Sequence, residues 1–126
     1  MREVPPAARF EDLVVWQKSH QLTLRVYRMT SNFPKHEVYG LAAQMRRAAV
    51  SVPANIAEGF KRRGRLDKAR LLNIAQASLE ELRYYFILAR DLEYGQTDHE
   101  RGFADEIARM LSAYTRTLST SLSGQS

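Results

Sequence analysis

Three histidines, His20, His36 and His99, and the adjacent carboxylates Glu80 and Glu81 are the side chains in this sequence best suited to metal binding or acid–base work. A di-metal centre in a helical bundle needs Glu-x-x-His pairs, because one turn of helix must present both ligand types to the ion. The residues three positions before the histidines are Gln17, Phe33 and Gln96, so none completes that pair. Neighbouring residues on a helix point about 100° apart, which keeps Glu80 and Glu81 from sharing one substrate as acid and base. The chain has no cysteine, no Gly-x-Ser-x-Gly turn and no phosphate-binding glycine loop. No enzyme, metal or cofactor is expected.

What the sequence does concentrate is positive charge. The net charge is +5, divided as +6 over residues 1–63 and −1 over residues 64–126. Between Gln44 and Arg70, eight basic side chains face only Glu58 and Asp67. Lys61, Arg62, Arg63, Arg65, Lys68 and Arg70 are therefore the candidate nucleic-acid-binding residues, with Arg46 a weaker one. Phosphate contacts of this kind release counterions, so binding would fall steeply with salt and carry little base preference. The competing reading is that these cations offset a helix dipole and keep the surface soluble.

Four periodic segments must position this cluster. Val15, Ser19, Leu22, Val26 and Met29 recur at helical spacing and predict a first helix from Leu13 to about Met29. Asn32, Pro34 and Lys35 interrupt it. Leu41, Met45, Ala48, Val52, Ile56 and Phe60 form the second stripe, with Pro53 inside it unable to donate to the Ala49 carbonyl, so a kinked second helix is expected. Gly59 and Gly64 signal its end. The third helix, about Leu66 to Leu92, carries Leu72, Ala75, Leu79, Leu82, Phe86 and Ala89. A second stripe of Leu71, Ile74, Ser78, Tyr85, Leu88 and Leu92 makes it wider than one neighbour can cover. Gly95 and Gln96 end it, Thr97 or Asp98 caps the fourth, and Phe103, Ile107, Met110, Tyr114 and Leu118 form the last stripe. Connections this short predict an all-α, antiparallel, up-down-up-down four-helix bundle over residues 10–118, with an extended arm at 1–9 and a flexible tail at 119–126.

The second helix also carries a hydrophilic strip, Arg47, Ser51, Asn55 and Glu58. If helices two and three turn back on each other near Gly64, Glu81 lies opposite Arg47 and Asn73 opposite Asn55. An Arg47–Glu81 ion pair within a polar network that fixes helix register is expected. The longest apolar run, Tyr84 to Ala89, is far short of the roughly 20 residues of a membrane span, and the start of the chain lacks the apolar core of a secretory signal. With no cysteine, this points to a cytoplasmic protein.

The string QMRRAAVSVPANIAEG, Gln44 to Gly59, resembles the signature of a bacterial four-helix-bundle family. That family comprises proteins encoded by intervening sequences in large-subunit ribosomal RNA genes, and includes the accessory variability proteins of diversity-generating retroelements. FEDLVVWQKSHQL at Phe10, FPKHEVYGL at Phe33 and IAQASLEEL at Ile74 add to the likeness, which extends from Phe10 to Tyr94. It carries over Gln44, Arg47, Ala48, Ser51, Asn55, Ile56, Ala57, Glu58, Gly59, Ser78 and Glu81, residues that look structural first. Ala77 stands where such proteins commonly have glycine, and Arg83 to Phe86 is more aromatic than the pattern. The resemblance implies a homopentameric barrel of bundles with a basic surface and no catalytic activity, whose retroelement members assist a reverse transcriptase and associate with nucleic acid.

Two functions follow as expectations. One is an oligomeric accessory protein that binds RNA, DNA or a nucleic-acid enzyme such as a reverse transcriptase through the basic cluster. The other is a scaffolding oligomer whose second stripe on helix three packs subunits and whose basic end meets an acidic protein.

Overall fold

The structure, a computed structural model, describes residues 6–123, with side chains through Leu118. Residues 1–5 of the expected arm and 124–126 of the expected tail lie outside the described residues. Four helices follow one another: α1 (Val14–Thr30), α2 (Leu41–Lys61), α3 (Arg65–Asp91) and α4 (Asp98–Ser123). Short 3-10 turns at Phe10–Asp12 and Lys35–Glu37 precede α1 and α2. There is no strand among the described residues. The molecule is an all-α bundle. Helix α4 continues past Leu118, so residues 119–123, expected in the tail, are helical.

The stripes read from the sequence form the core. Leu22, Val26, Met45, Val52, Ile56, Leu72, Leu79, Leu82, Phe86, Ile107 and Leu111 are almost wholly removed from solvent. At about 25 cal/mol per Å2 of apolar surface removed from water, burial of this kind is the main force holding the helices together. Each helix packs on the next. Arg46 on α2 donates to the Thr30 hydroxyl (2.8 Å) and stands over the Tyr27 ring on α1. Arg83 and Arg90 on α3 reach Asp105 (2.7 Å) and Asp98 (3.1 Å) on α4. Lys18 and Arg25 on α1 meet Glu106 and the Phe103 ring on α4, which closes the bundle.

Pro53 is buried within α2, and the helix runs through it as one element of 21 residues. The Ala49 carbonyl, deprived of its usual donor at residue 53, receives the Thr23 hydroxyl of α1 instead, at 3.0 Å. That hydroxyl is shared with the Ser19 carbonyl at 2.9 Å, and Thr23 is itself buried. The first helix thus supplies the hydrogen bond that the proline removes from the second.

The start of α2 is capped from outside the helix. Glu37 accepts the Leu41 amide (3.0 Å) with one carboxylate oxygen and the Tyr94 hydroxyl (2.7 Å) with the other. Both bonds favour the charged carboxylate, and they hold its pKa below the usual range. The same contact ties the turn after α3 to the turn before α2, where Phe33 packs against Tyr94.

The helix stops at Asp91, one residue before the expected Leu92. Glu93 takes the left-handed conformation that reverses the chain, with φ 64°, and Gly95 follows at φ 157°. The Tyr94 amide then reaches back to the Ala89 carbonyl at 2.9 Å, the closing bond of a Schellman turn. A side chain at that φ costs about 1–2 kcal/mol relative to glycine. Glu93→Gly is accordingly expected to stabilise the protein by about 1 kcal/mol, read as a shift in the urea midpoint; no change would mean the turn tolerates a Cβ there without strain.

Candidate nucleic-acid interface

The basic cluster sits where α2 hands the chain to α3 through Arg62, Arg63 and Gly64. Lys61, Arg62, Arg63, Arg65 and Arg70 are all exposed. The six candidates nonetheless do different things. Lys68 folds back and donates to the Gly59 carbonyl (2.8 Å) and the Phe60 carbonyl (3.3 Å), the last turn of α2. Partial burial lowers its pKa. The Gly59 carbonyl also accepts the Arg62 amide at 3.2 Å, and both carbonyls carry the negative end of the helix dipole, so an ammonium there caps the helix. Lys68 caps the end of α2.

Arg62 and Arg70 are partly neutralised. Arg62 lies 3.3 Å from Glu58 and 3.5 Å from Asp67, while Arg70 lies 2.9 Å from the same Asp67. Exposed pairs like these are worth little in stability, and they leave the guanidinium groups able to exchange partners. Lys61 and Arg63 have no ion pair or hydrogen bond among the described side chains. Lys61 ends α2 and Arg63 lies in the connector, and both project charge that no carboxylate offsets. Arg65 follows at the first residue of α3.

The predicted polar network is only partly assembled. Ser51, Asn55 and Ser78 do come together across the α2–α3 contact. Ser78 donates to the Ser51 hydroxyl at 2.8 Å, and the Asn55 amide donates to the Ser51 carbonyl (2.8 Å) and hydroxyl (3.0 Å). Small hydroxyl side chains at this crossing let the helices approach while keeping their polar atoms paired. The expected Arg47–Glu81 pair does not form. Glu81 accepts the hydroxyl of Tyr85, one turn along α3, at 2.6 Å, and Arg47 remains exposed. Glu58 also leaves the network, turning to Arg62.

The Tyr85–Glu81 bond has a measurable consequence. The carboxylate beside it pushes the Tyr85 pKa up to about 12, with burial adding to the shift and Arg47 opposing it. Because the folded value lies above the ordinary one of about 10, this contribution to stability is complete below pH ~10. It is lost as pH rises through about 12. The Glu37 hydrogen bond raises Tyr94 and burial raises Tyr114 as well, so an absorbance titration of tyrosinate is expected to show several late-ionising groups, one of which moves to lower pH in Glu81→Gln. A titration unchanged in that variant would assign the shift elsewhere.

Beside this network, α2 and α3 share an outer face with incompletely covered apolar side chains. Val50 is 42%, Ile74 38% and Tyr84 56% exposed, with Ala54 and Ala77 also exposed nearby in the helical repeat. Of the second stripe expected on α3, only Ile74 lies on this face, and Leu71 is buried in the core.

Among the described residues there is no group of three or more His, Asp or Glu side chains placed to hold a metal ion, and no helix long and apolar enough to cross a membrane. The contacts that sequence reasoning missed are Thr23 to Ala49, Lys68 to the end of α2, and the Glu37–Tyr94 bond. Only the orphan carbonyl at Ala49 left a trace in the sequence.

Comparison with known proteins gives a consistent picture. A crystal structure of a protein of unknown function from the S23 ribosomal protein family of Bacteroides thetaiotaomicron superposes with a TM-score of 0.76 at 25% identity, over 82% of this chain and 96% of that one. No curated protein matches the chain. The model of the 23S rRNA-intervening sequence protein family matches residues 11–113, which span all of α1, α2 and α3 and most of α4. The chain belongs to the 23S rRNA-intervening sequence protein family.

Proposed function

We propose that this protein is a non-catalytic, oligomeric accessory factor that binds nucleic acid through the α2–α3 connector. The observation that carries the reading is the pair Lys61 and Arg63, two exposed cations, one at the last residue of α2 and one on the three-residue connector, with no carboxylate partner among the described residues, next to Arg62 and Arg70, which share one aspartate. Charge of this kind, on backbone held by a capped helix end, suits phosphate contacts that ignore base identity. Membership in a family named for ribosomal RNA intervening sequences agrees with an RNA or DNA ligand. A nucleic-acid enzyme such as a reverse transcriptase is a further partner, on the retroelement resemblance alone.

The oligomer is supported by the α2–α3 outer face, where Val50, Ile74 and Tyr84 expose apolar surface beside Arg47 and Glu81. Ring assembly would repeat the connector around one axis and raise its effective concentration toward a long ligand. The resemblance sets the expected number of chains at five. Light scattering with and without a short RNA or DNA duplex, at low and raised salt, tests both parts. A mass near five chains and a complex that dissociates with salt support the proposal. A monomer that ignores the duplex contradicts it, and salt-insensitive capture of an acidic protein would favour the scaffold reading.

A further inference from the structure

An aromatic strip runs along α1 beside α2. Trp16, His20, Leu24 and Tyr27 recur at helical spacing on one face of α1. Phe10 meets Trp16 edge to face, with ring centroids 5.0 Å apart, and Trp16 stacks on His20 at 5.2 Å with the planes 9° from parallel. His20 is exposed, so a ring already stacked on one side can extend the stack on the other. Further along, Leu24 is 42% and Tyr27 44% exposed, and the Arg46 guanidinium of α2 stands over the Tyr27 ring at 4.8 Å. From Trp16 to Tyr27 the strip runs about 16 Å at 1.5 Å per residue, room for a short run of nucleotides.

Exposed rings of this kind suit either another protein surface or unpaired bases, and charge chooses between them. Helix α1 has no carboxylate, and its Lys18 and Arg25 are turned to Glu106 and Phe103 of α4. Helix α2 has one, Glu58, which Arg62 engages at 3.3 Å, against Arg46, Arg47 and Lys61. The other carboxylates near the strip lie at its Phe10 end, where Glu11 pairs with Arg9 and Asp12 accepts the Ala8 and Arg9 amides. Along α1 and α2 the strip therefore lies in a positive field. A second copy of the chain, itself carrying +5, would bring like charge to it, whereas a polyanion is drawn in.

We propose that this strip binds a single-stranded nucleic acid, its unpaired bases stacked in line with Trp16 and His20 and against Tyr27, and its phosphates drawn by Arg46 and Arg47. Stacking on aromatic rings beside cations accepts any base, because every base has a π-face. The strip follows α1, and the proposal does not depend on duplex binding at the α2–α3 connector.

Trp16 is the single tryptophan of the chain, so its emission reports on the strip directly. Titration of the full chain with short oligo(dT) and oligo(U) is expected to quench that emission saturably, with affinity falling as salt is raised. The tighter of the two identifies DNA or RNA as the source. A duplex, whose bases are already stacked, should leave the emission unchanged even where it binds. His20→Ala and Tyr27→Ala, both at exposed positions, should each weaken oligonucleotide binding by about fivefold or more in anisotropy of the labelled strands, the scale of one lost base stack. His20→Phe keeps a ring there and should bind as the wild type does. Lys61→Ala/Arg63→Ala should be quenched to the same extent at saturation. Oligonucleotide quenching without duplex binding would defeat the connector reading and leave this one standing. Absence of saturable quenching, undiminished binding by both alanine variants, or emission that changes with protein concentration alone, the mark of a second copy on the strip, overturns the proposal.

Discussion

Thr23→Val is expected to destabilise the protein by about 1–3 kcal/mol, the cost of stranding a buried polar group. Valine keeps the shape of threonine but removes the hydroxyl that serves the Ala49 carbonyl. The Ser19 carbonyl, the other acceptor of that hydroxyl, keeps its place in the α1 ladder and should matter less. The effect depends on Pro53. In a Pro53→Ala background residue 53 regains an N–H directed at Ala49, so the same Thr23→Val change should cost at least about 1 kcal/mol less. Urea denaturation of the four proteins in this cycle measures the coupling. Equal costs in both backgrounds would show that the hydroxyl and the proline act independently.

Removing both unpaired cations, Lys61→Ala/Arg63→Ala, is expected to weaken duplex binding by about tenfold or more near 50 mM salt while leaving stability within about 0.5 kcal/mol. Both side chains are exposed, and neither has a partner within the described residues. Lys68→Ala should behave in the opposite way. It removes the ammonium from the Gly59 and Phe60 carbonyls, the first of which keeps the Arg62 amide, and should cost about 1 kcal/mol of stability, with a smaller effect on binding than the double variant. Fluorescence anisotropy of a labelled duplex, together with thermal melts, separates the two roles. Equal loss of affinity in both variants would return Lys68 to the binding surface.

These two predictions also show how far the sequence could be read. Periodicity located all four helices to within a few residues, because each apolar stripe is broken by Pro34, the glycines near 59–64 or the 95–98 turn, where backbone hydrogen bonding must change partners. The orphan Ala49 carbonyl was legible for the same reason. Its donor was not, since Thr23 lies 26 residues away on another helix and threonine at that position looks ordinary. The opposing register of α2 and α3 joins Ser51 to Ser78, a pair not read from the sequence, and the expected Arg47–Glu81 pair does not form because Tyr85, one turn from Glu81, captures its carboxylate locally. The basic cluster was visible as composition, but composition cannot tell a cation aimed at solvent from one folded onto a helix end. Lys68 and Arg63 differ in just this way. Glu93 was missed because a left-handed helix stop is ordinarily signalled by glycine, and the nearby Gly95 drew the assignment.

Electrostatic binding of nucleic acid at the α2–α3 connector, as proposed, should show in its salt dependence. The most direct test is the affinity of the wild-type protein and Lys61→Ala/Arg63→Ala for one duplex across a series of salt concentrations. Log affinity of the wild type is expected to fall linearly with log salt, with a slope shallower by about 2 in the variant, one unit for each phosphate contact removed. Binding that is insensitive to salt, or identical slopes for the two proteins, would contradict it.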